Sequence, residues 1–139
     1  MNSWLKSYGT LQIGNDVVRL SVSEDFAKYY RTFVDKEVRL FTQQPAHGTH
    51  ITIYRKKIHG DIDPKLIQKL KKIYSNKKIE FYYDINIIEG GKNKNFRNWF
   101  FKVRGEELSK ISTLLNINQD YHLTVCNTKN GVRPYIWFK

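Results

Sequence analysis

The sequence predicts one α+β domain over residues 1–139, with two pseudo-symmetric lobes whose antiparallel sheets line a central cleft and whose helices lie outside. Its length is that of a single domain, and 40% hydrophobic residues are enough to fill one core. Segments of alternating hydrophobicity and segments of helical spacing follow one another along the chain. The order strand, strand, helix, short strand occurs twice, and the last strand begins with His50 in one copy and with His122 in the other. We therefore expect a bilobal fold with two related halves.

The first copy is predicted to contain a hairpin, a helix and a short strand. Alternating residues at Tyr8–Ile13 and Val17–Val22 flank Gly14-Asn15-Asp16, which is a hairpin signal. Ser23 followed by two acidic residues is typical of a helix start. Apolar residues then continue at helical spacing, namely Phe26, Tyr29, Tyr30, Phe33 and Val34. A loop leads into a strand at His50–Tyr54.

The second copy is preceded by a helix. Asp63-Pro64 predicts its start, because a capping residue is followed by proline at the first helical position. The buried stripe of this helix is predicted to consist of Leu66, Ile67, Leu70, Ile73 and Tyr74. The second copy then begins with strands at Lys78–Ile88 and Phe96–Val103, on either side of Gly90-Gly91. A helix at Glu106–Leu115 leads to the final strands.

Charge and composition narrow the classes of function. The chain has 24 Lys and Arg against 13 Asp and Glu, a net charge of +11 and a pI near 9.7, which favours a polyanionic partner. The single cysteine, Cys126, excludes an internal disulfide and a cysteine-rich zinc site. No run of about 18 apolar residues is present to span a membrane, and the N-terminus lacks the apolar core of a signal peptide. We expect a protein of a reducing, cytoplasmic compartment.

The short strands that close the two copies match residue by residue in kind. His50-Ile51-Thr52-Ile53 and His122-Leu123-Thr124-Val125 both have histidine, branched aliphatic, threonine, branched aliphatic. Because a strand alternates faces, the histidine and threonine share one surface while the aliphatic residues enter the core. Two imidazoles and two hydroxyls converge on one cleft if the halves pack side by side. His47-Gly48-Thr49 is a competing segment, but it lacks the aliphatic residues that anchor a strand.

This set of side chains suits phosphodiester chemistry without a metal or another cofactor. A neutral histidine can take a proton from an attacking water or ribose hydroxyl, and a protonated one can donate to the leaving oxygen. An unperturbed pKa of roughly 6.5 serves either role near neutral pH. The threonine hydroxyls can donate hydrogen bonds to the non-bridging phosphate oxygens as charge builds.

The paired His-x-Thr motifs resemble those of the 2H phosphoesterase superfamily, which is named for two such motifs in pseudo-symmetric lobes. The resemblance implies metal-independent catalysis on 2′,3′-cyclic, 2′–5′ or 3′–5′ linkages. It implies that His50 and His122 are the acid–base pair and that Thr52 and Thr124 bind phosphate. Within the superfamily, the small size and the segment Pro45–Ile53 are most similar to the phage anti-CBASS nucleases, which degrade cyclic di- and trinucleotide signals of bacterial immunity. A phage-encoded member would act in the host cytoplasm.

Two other functions stay open at this point. A 2′,3′-cyclic phosphodiesterase or an RNA-end repair enzyme would use the same four residues on a small RNA-type substrate. A non-catalytic nucleotide- or RNA-binding protein would instead use the basic segment Arg55–Lys78, which has nine basic and two acidic side chains. Lys65, Lys69 and Lys72 align on one helix face there, a pattern that a solvated helix face also shows.

A closing hairpin is predicted after the second motif. Its strands are His122–Asn127 and Arg133–Phe138, joined by the favoured turn pair Asn130-Gly131. This register brings Tyr135 and Trp137 to the face of the second motif. Exposed aromatic residues beside a phosphate site can stack on nucleobases, whereas Trp137 could equally cover a hydrophobic edge.

Further side chains are candidates for substrate binding. Strand alternation places Tyr54 beyond Thr52 on the face of the first motif. Tyr8 and Arg19 belong to the polar face of the first hairpin, which would line the cleft or face water. Arg133 lies toward the turn of the closing hairpin and could reach a second phosphate.

Alternative site chemistries are less well supported. Cys126 shares the predicted face of His122, but a symmetric histidine pair explains the site without a cysteine nucleophile. His59 lies in a His-Gly-Asp turn and is interpreted as a loop residue. The histidines lack helical His-x-x-x-His spacing, so no metal ligands are predicted.

Overall fold

The computed structural model of the protein describes residues 3–45, 48–75, 77–93, 96–128 and 133–134. It confirms the α+β class. The strands are β1 (Trp4–Ile13), β2 (Val17–Ser21), β3 (Leu40–Phe41), β4 (His50–Arg55), β5 (Lys78–Asp84), β6 (Ile88–Asn93), β7 (Phe96–Arg104), β8 (Tyr121–Asn127) and β9 (Arg133–Pro134). The helices are α1 (Glu24–Val38), α2 (Lys56–His59), α3 (Pro64–Tyr74) and α4 (Glu106–Leu114). Within the described ranges, none of the helices has the length and apolar character needed to cross a membrane.

Six strands form one sheet that closes on itself. Their order is β5-β1-β2-β4-β8-β7, and β7 pairs back onto β5, which completes a barrel. β6 pairs with β7, and β3 pairs with β9 in a small second sheet. The structure does not confirm two separate lobes facing a central cleft, because β4 and β8 pair directly and join the two halves.

The two copies of the predicted order occupy equivalent places in this barrel. β1, β2, α1 and β4 correspond to β5, β7, α4 and β8, and exchanging the two sets leaves the strand order unchanged. β4 and β8 meet at the centre of this pseudo-symmetry, where Ile51 lies opposite Leu123. Equivalent positions of the two motifs therefore face each other across one antiparallel pair.

A row of buried side chains crosses the strands that carry the motifs and their neighbours. Leu20 of β2 lies opposite Ile51, and Phe101 of β7 lies opposite Leu123. All four side chains are fully buried. Each contributes about 1.5–3 kcal/mol by leaving water. Since side chains alternate along a strand, this row determines which face of the sheet is the core face and which carries the polar neighbours.

Helix α1 packs against the core face of the sheet. Its predicted cap is present, because Ser23 Oγ accepts a hydrogen bond from the backbone N of Asp25 at 3.3 Å. Phe26 packs edge-on against aromatic side chains of β5 and β7. The predicted apolar face is only partly buried, since Tyr29 is 60% exposed and Phe33 is 52% exposed.

Helix α3 also begins where the sequence predicts. Asp63 Oδ1 accepts a hydrogen bond from the backbone N of Lys65 at 2.9 Å. Ile67 and Leu70 are buried in the common core, as predicted. Ile73 of the same predicted stripe is 38% exposed, so the stripe is only partly buried.

The predicted strand Lys78–Ile88 is interrupted. β5 ends at Asp84, and β6 begins at Ile88. The sequence predicts that Gly90-Gly91 separates two strands, but the pair lies within β6, where Gly90 pairs with Asn98. A Cβ on Gly90 would lie 2.8 Å from Asn98 Oδ1, so this glycine permits a close approach inside the sheet.

The predicted closing hairpin does not form between β8 and β9. Asn127, at the end of β8, bridges Gln43, and β9 then pairs with β3. Of the residues that the structure describes here, Asn127 and β9 therefore both pair with the segment that precedes β4. The predicted turn Asn130-Gly131 and residues 135–138 of the returning strand lie outside the described residues.

Candidate active site

The register of β4 and β8 brings the two motifs onto one face of the sheet. The buried pair at their centre places His50 beside Thr124, and Thr52 beside His122. All four side chains reach the surface, while the aliphatic residues between them are buried. The two histidines lie on a diagonal of the ladder, for which a Cβ–Cβ separation of roughly 7 Å is usual. This spacing leaves room for one phosphate group between the imidazoles.

The neighbouring strands extend this face on both sides. Arg19 of β2 pairs with Thr52, and Lys102 of β7 pairs with His122. One row of the polar face therefore consists of Arg19, Thr52, His122 and Lys102, and the adjacent row consists of Ser21, His50, Thr124 and Phe100. The motifs lie between two cations, which favours an anionic ligand. No sequence pattern indicates Lys102, because its position depends on the register of β7 with β8.

Each motif is followed by a β-bulge. The pairing of β4 with β2 skips Ile53, and the pairing of β8 with β7 skips Val125. A bulge turns the next side chain toward the core instead of the polar face. The prediction that Tyr54 lies on the motif face is therefore wrong: Tyr54 is 1% exposed, and its hydroxyl donates to the carbonyl oxygen of Gly60 at 2.6 Å.

The bulge in the pairing of β8 with β7 reverses the predicted face of Cys126. Its side chain is fully buried and does not lie beside His122 on the polar face. Burial raises the pKa of the Cys126 thiol to about 12. The thiol is therefore protonated at neutral pH, which excludes it as a nucleophile there.

A loop anchored by Glu24 positions the first histidine. His50 Nδ1 donates to the carbonyl oxygen of Gly48 at 2.9 Å, which assigns the lone pair of the neutral ring to Nε2. Glu24 Oε1 accepts from the backbone N of Thr49 at 3.0 Å, and Glu24 Oε2 accepts from Thr49 Oγ1 at 3.3 Å. Gln44 Nε2 also donates to Glu24. Glu24, the first residue of α1, therefore fixes the loop that leads into His50, a role that no local sequence signal indicates.

The second histidine packs against an aromatic ring. The ring centroids of His122 and Phe100 are 5.2 Å apart, and the rings are tilted by 59°. His122 is accessible to solvent, but the surrounding protein removes part of the hydration shell of its imidazole. This desolvation lowers the pKa of His122 below its ordinary value of 6.5. The neutral form, which can accept a proton, is therefore favoured near pH 7.

A chain of hydrogen bonds ties β4 to the segment that enters β8. His59 Nδ1 accepts from the backbone N of Arg55 at 3.0 Å, so His59 Nε2 donates to Gln119 Oε1, at 2.6 Å. Gln119 Nε2 in turn donates to the carbonyl oxygens of Thr52 at 3.4 Å and Ile53 at 3.2 Å. These carbonyls belong to the bulge, where the ladder is interrupted. The prediction that His59 is a loop residue is wrong, since it ends α2 and supports the first motif.

A cavity of about 570 Å³ opens beside the first motif. His50 and Thr52 line it together with Arg19. The sequence alone does not decide whether Arg19 lines a cleft or faces water. Other described residues that line the cavity are Asp16, Val17, Arg55, Lys56 and Lys57. This volume is in the range of small-molecule sites.

Tyr8, another predicted binding residue, does not lie at this cavity. Tyr8 lies on β1 opposite Glu80, and Lys78 Nζ lies 4.3 Å from its ring centroid. The structure does not bring Tyr8 to the lining of the His50 cavity. The side chain of Arg133 lies outside the described residues, as do Tyr135 and Trp137. The exposed face of α3 does not line the cavity. It carries three lysines of the basic segment, namely Lys65, Lys69 and Lys72.

In the described part of the chain, no three His, Cys, Asp or Glu side chains are grouped so that they could hold a metal ion. No known protein family, curated protein or solved structure matches this chain. A function for the site therefore has to be inferred from its own geometry and chemistry.

Proposed function

We propose that this protein is a metal-independent phosphodiesterase that hydrolyses cyclic di- and trinucleotides, the substrates of the phage nucleases that its motifs resemble. The observation that carries the proposal is the pairing of β4 with β8, which gathers two imidazoles and two hydroxyls on one face. Arg19 and Lys102 at either side of that face support an anionic substrate. In this proposal the two halves of the barrel act as the two motif-bearing lobes of the 2H architecture, in the cytoplasm of the host.

The proposed reaction is one displacement at phosphorus. His122 accepts a proton from the attacking oxygen, which is that of water or of a ribose 2′-hydroxyl, as the oxygen forms its bond to phosphorus. The bond from phosphorus to the leaving 5′-oxygen breaks, and His50 donates its proton to that oxygen. Thr52 and Thr124 donate hydrogen bonds to the non-bridging oxygens. Attack by water gives a linear phosphate monoester, and attack by the 2′-hydroxyl gives a 2′,3′-cyclic phosphate that water opens in a second round.

The surroundings of the two histidines support this division of roles. Desolvation lowers the pKa of His122 and favours its neutral, proton-accepting form. The Gly48 carbonyl that accepts from His50 Nδ1 stabilises the ring when it is charged, because that hydrogen bond strengthens in the imidazolium. His122 is therefore proposed as the base and His50 as the acid.

The pH dependence of kcat/KM tests this assignment. We expect activity to fall as the pH drops below the pKa of His122, with a midpoint below 6.5, because protonation removes the base. Phe100→Ala exposes the imidazole to water and should move this acidic limb to higher pH, toward 6.5. Phe33→Ala, on the exposed side of α1, is the matched control and should leave the limb in place. An unmoved limb in Phe100→Ala would contradict the role of His122 as the base.

Turnover of defined substrates tests the function itself. Cyclic di- and trinucleotides should be cleaved faster than a linear RNA with a 2′,3′-cyclic end, because the site is proposed to hold a cyclic ligand. Cleavage should continue in EDTA, because proton transfer is assigned to the histidines. A preference for the linear RNA would indicate a 2′,3′-cyclic phosphodiesterase or an RNA-end repair enzyme instead. Loss of turnover in EDTA would contradict the metal-independent reaction.

A further inference from the structure

The cavity beside the first motif is longer than the motif itself. It extends from His50 and Thr52 along β4 to Arg55, which pairs with Val17 of β2. Three residue steps separate Thr52 from Arg55, and a rise of about 3.3 Å per residue places their Cα atoms roughly 10 Å apart. A phosphate held at Thr52 therefore leaves the far end of the cavity for another part of the same ligand.

That far end is positively charged. Arg55, Lys56 and Lys57 line it, and Asp16 is the carboxylate among the lining residues that the structure describes. Lys56 Nζ lies 3.5 Å from Asp61 Oδ1, an exposed pair that a phosphate can displace at small cost. Within the described ranges, neither Arg55 nor Lys57 forms an ion pair. Their charges are therefore available to an anionic group of a ligand.

We propose that Arg55 and Lys57 form a second phosphate subsite, which binds a phosphate that is not cleaved. The inference rests on the proposed function, because it takes His50 and Thr52 to hold the reacting phosphate. An arginine offers a planar fork that matches two phosphate oxygens, and a lysine adds a compact charge. The ligand class is an oligonucleotide with at least two phosphates, cyclic or linear, in preference to a cyclic mononucleotide.

Equilibrium binding to the His122→Ala variant tests the subsite separately from turnover. Three probes are compared by isothermal titration calorimetry: cyclic di-AMP, a linear 5′-phosphorylated diadenylate and adenosine 2′,3′-cyclic monophosphate. Adding Arg55→Gln and Lys57→Gln should weaken binding of the two-phosphate probes by about tenfold or more, since charge-assisted hydrogen bonds are lost. The cyclic mononucleotide should lose much less affinity. The two-phosphate probe with the greater loss shows whether the second phosphate comes from a ring or from a linear chain.

A control pair separates the subsite from general electrostatic attraction. Lys65→Gln with Lys69→Gln removes the same charge from the exposed face of α3, outside the cavity. The subsite is wrong if this control weakens binding as much, if all three probes weaken equally, or if neither two-phosphate probe loses affinity. If the wild-type protein cleaves none of the probes but binding still depends on Arg55 and Lys57, the proposed reaction fails and the subsite stands.

Discussion

Replacing either motif histidine with alanine is expected to lower kcat for a cyclic dinucleotide by about 10²–10⁴-fold, the usual contribution of a positioned acid or base. His50 and His122 act in the same step. The kcat of the double variant should therefore be only slightly lower than that of the less active single variant. The side chains lie on the polar face, outside the buried row that holds β4 and β8 together. Thermal unfolding should therefore stay close to wild type, and steady-state kinetics should show the loss.

Two variants make this test sharper. His122→Asn keeps a polar group but cannot carry the proton, so it should be as inactive as His122→Ala. Added imidazole should restore part of the activity of His122→Ala, because the position is open to solvent. Full activity in both alanine variants would contradict the catalytic roles. The alternative is a non-catalytic nucleotide or RNA binder. In that case the activity of the protein should survive both histidine variants and be abolished by the combined substitutions Lys65→Glu, Lys69→Glu and Lys72→Glu.

Features that depend on neighbouring residues could be predicted from the sequence. Ser23 and Asp63 cap their helices through their own side chains, and both helix starts are confirmed. The alternation within each motif also holds, which puts Ile51, Ile53, Leu123 and Val125 in the core. These outcomes need only local backbone geometry, which short sequence patterns specify well.

Features that depend on a partner strand could not be predicted in this way. Strict alternation continued past Thr52 places Tyr54 on the polar face, but the bulge reverses it, and the bulge exists only in the pairing with β2. In β8, the bulge in the pairing with β7 turns Cys126 toward the core in the same way. Arg19 and Lys102 join the motifs through register alone, and Gln119 reaches the first motif from a distant part of the sequence.

The closure of the sheet has the same origin. The repeat of strand, strand, helix, strand shows that two halves are related, but it does not determine which edges pair. β7 pairs with β5, and β9 pairs with β3. Each pairing joins strands that are far apart in the sequence, and it depends on which strand edges are not already paired. The turn signal Asn130-Gly131 is local evidence for a hairpin, whereas the pairing of β9 with β3 depends on residues far away in the sequence.

Substituting Gly48 with alanine is expected to reduce kcat by about a hundredfold, since a shift of about 1 Å in a reacting group has an effect of this size. Gly48 has a φ of 78°, and an added Cβ would lie 2.8 Å from Glu24 Oε1. Glu24 can move aside only by giving up its hydrogen bonds to Thr49. The Gly48 carbonyl that accepts from His50 Nδ1 belongs to the same loop, so the imidazole moves with it.

Gly60→Ala is the matched control for this variant. Gly60 has a φ of 81°, but no atom lies within 4 Å of an added Cβ, so the substitution adds backbone strain without a clash. Both variants should lose about 1–3 kcal/mol of unfolding free energy, measured by denaturant titration. Only Gly48→Ala should also lose kcat, because only that loop carries the carbonyl that holds His50. Equal losses of kcat would mean that strain alone lowers activity, and the contact between Glu24 and the loop would then have no part in positioning the histidine.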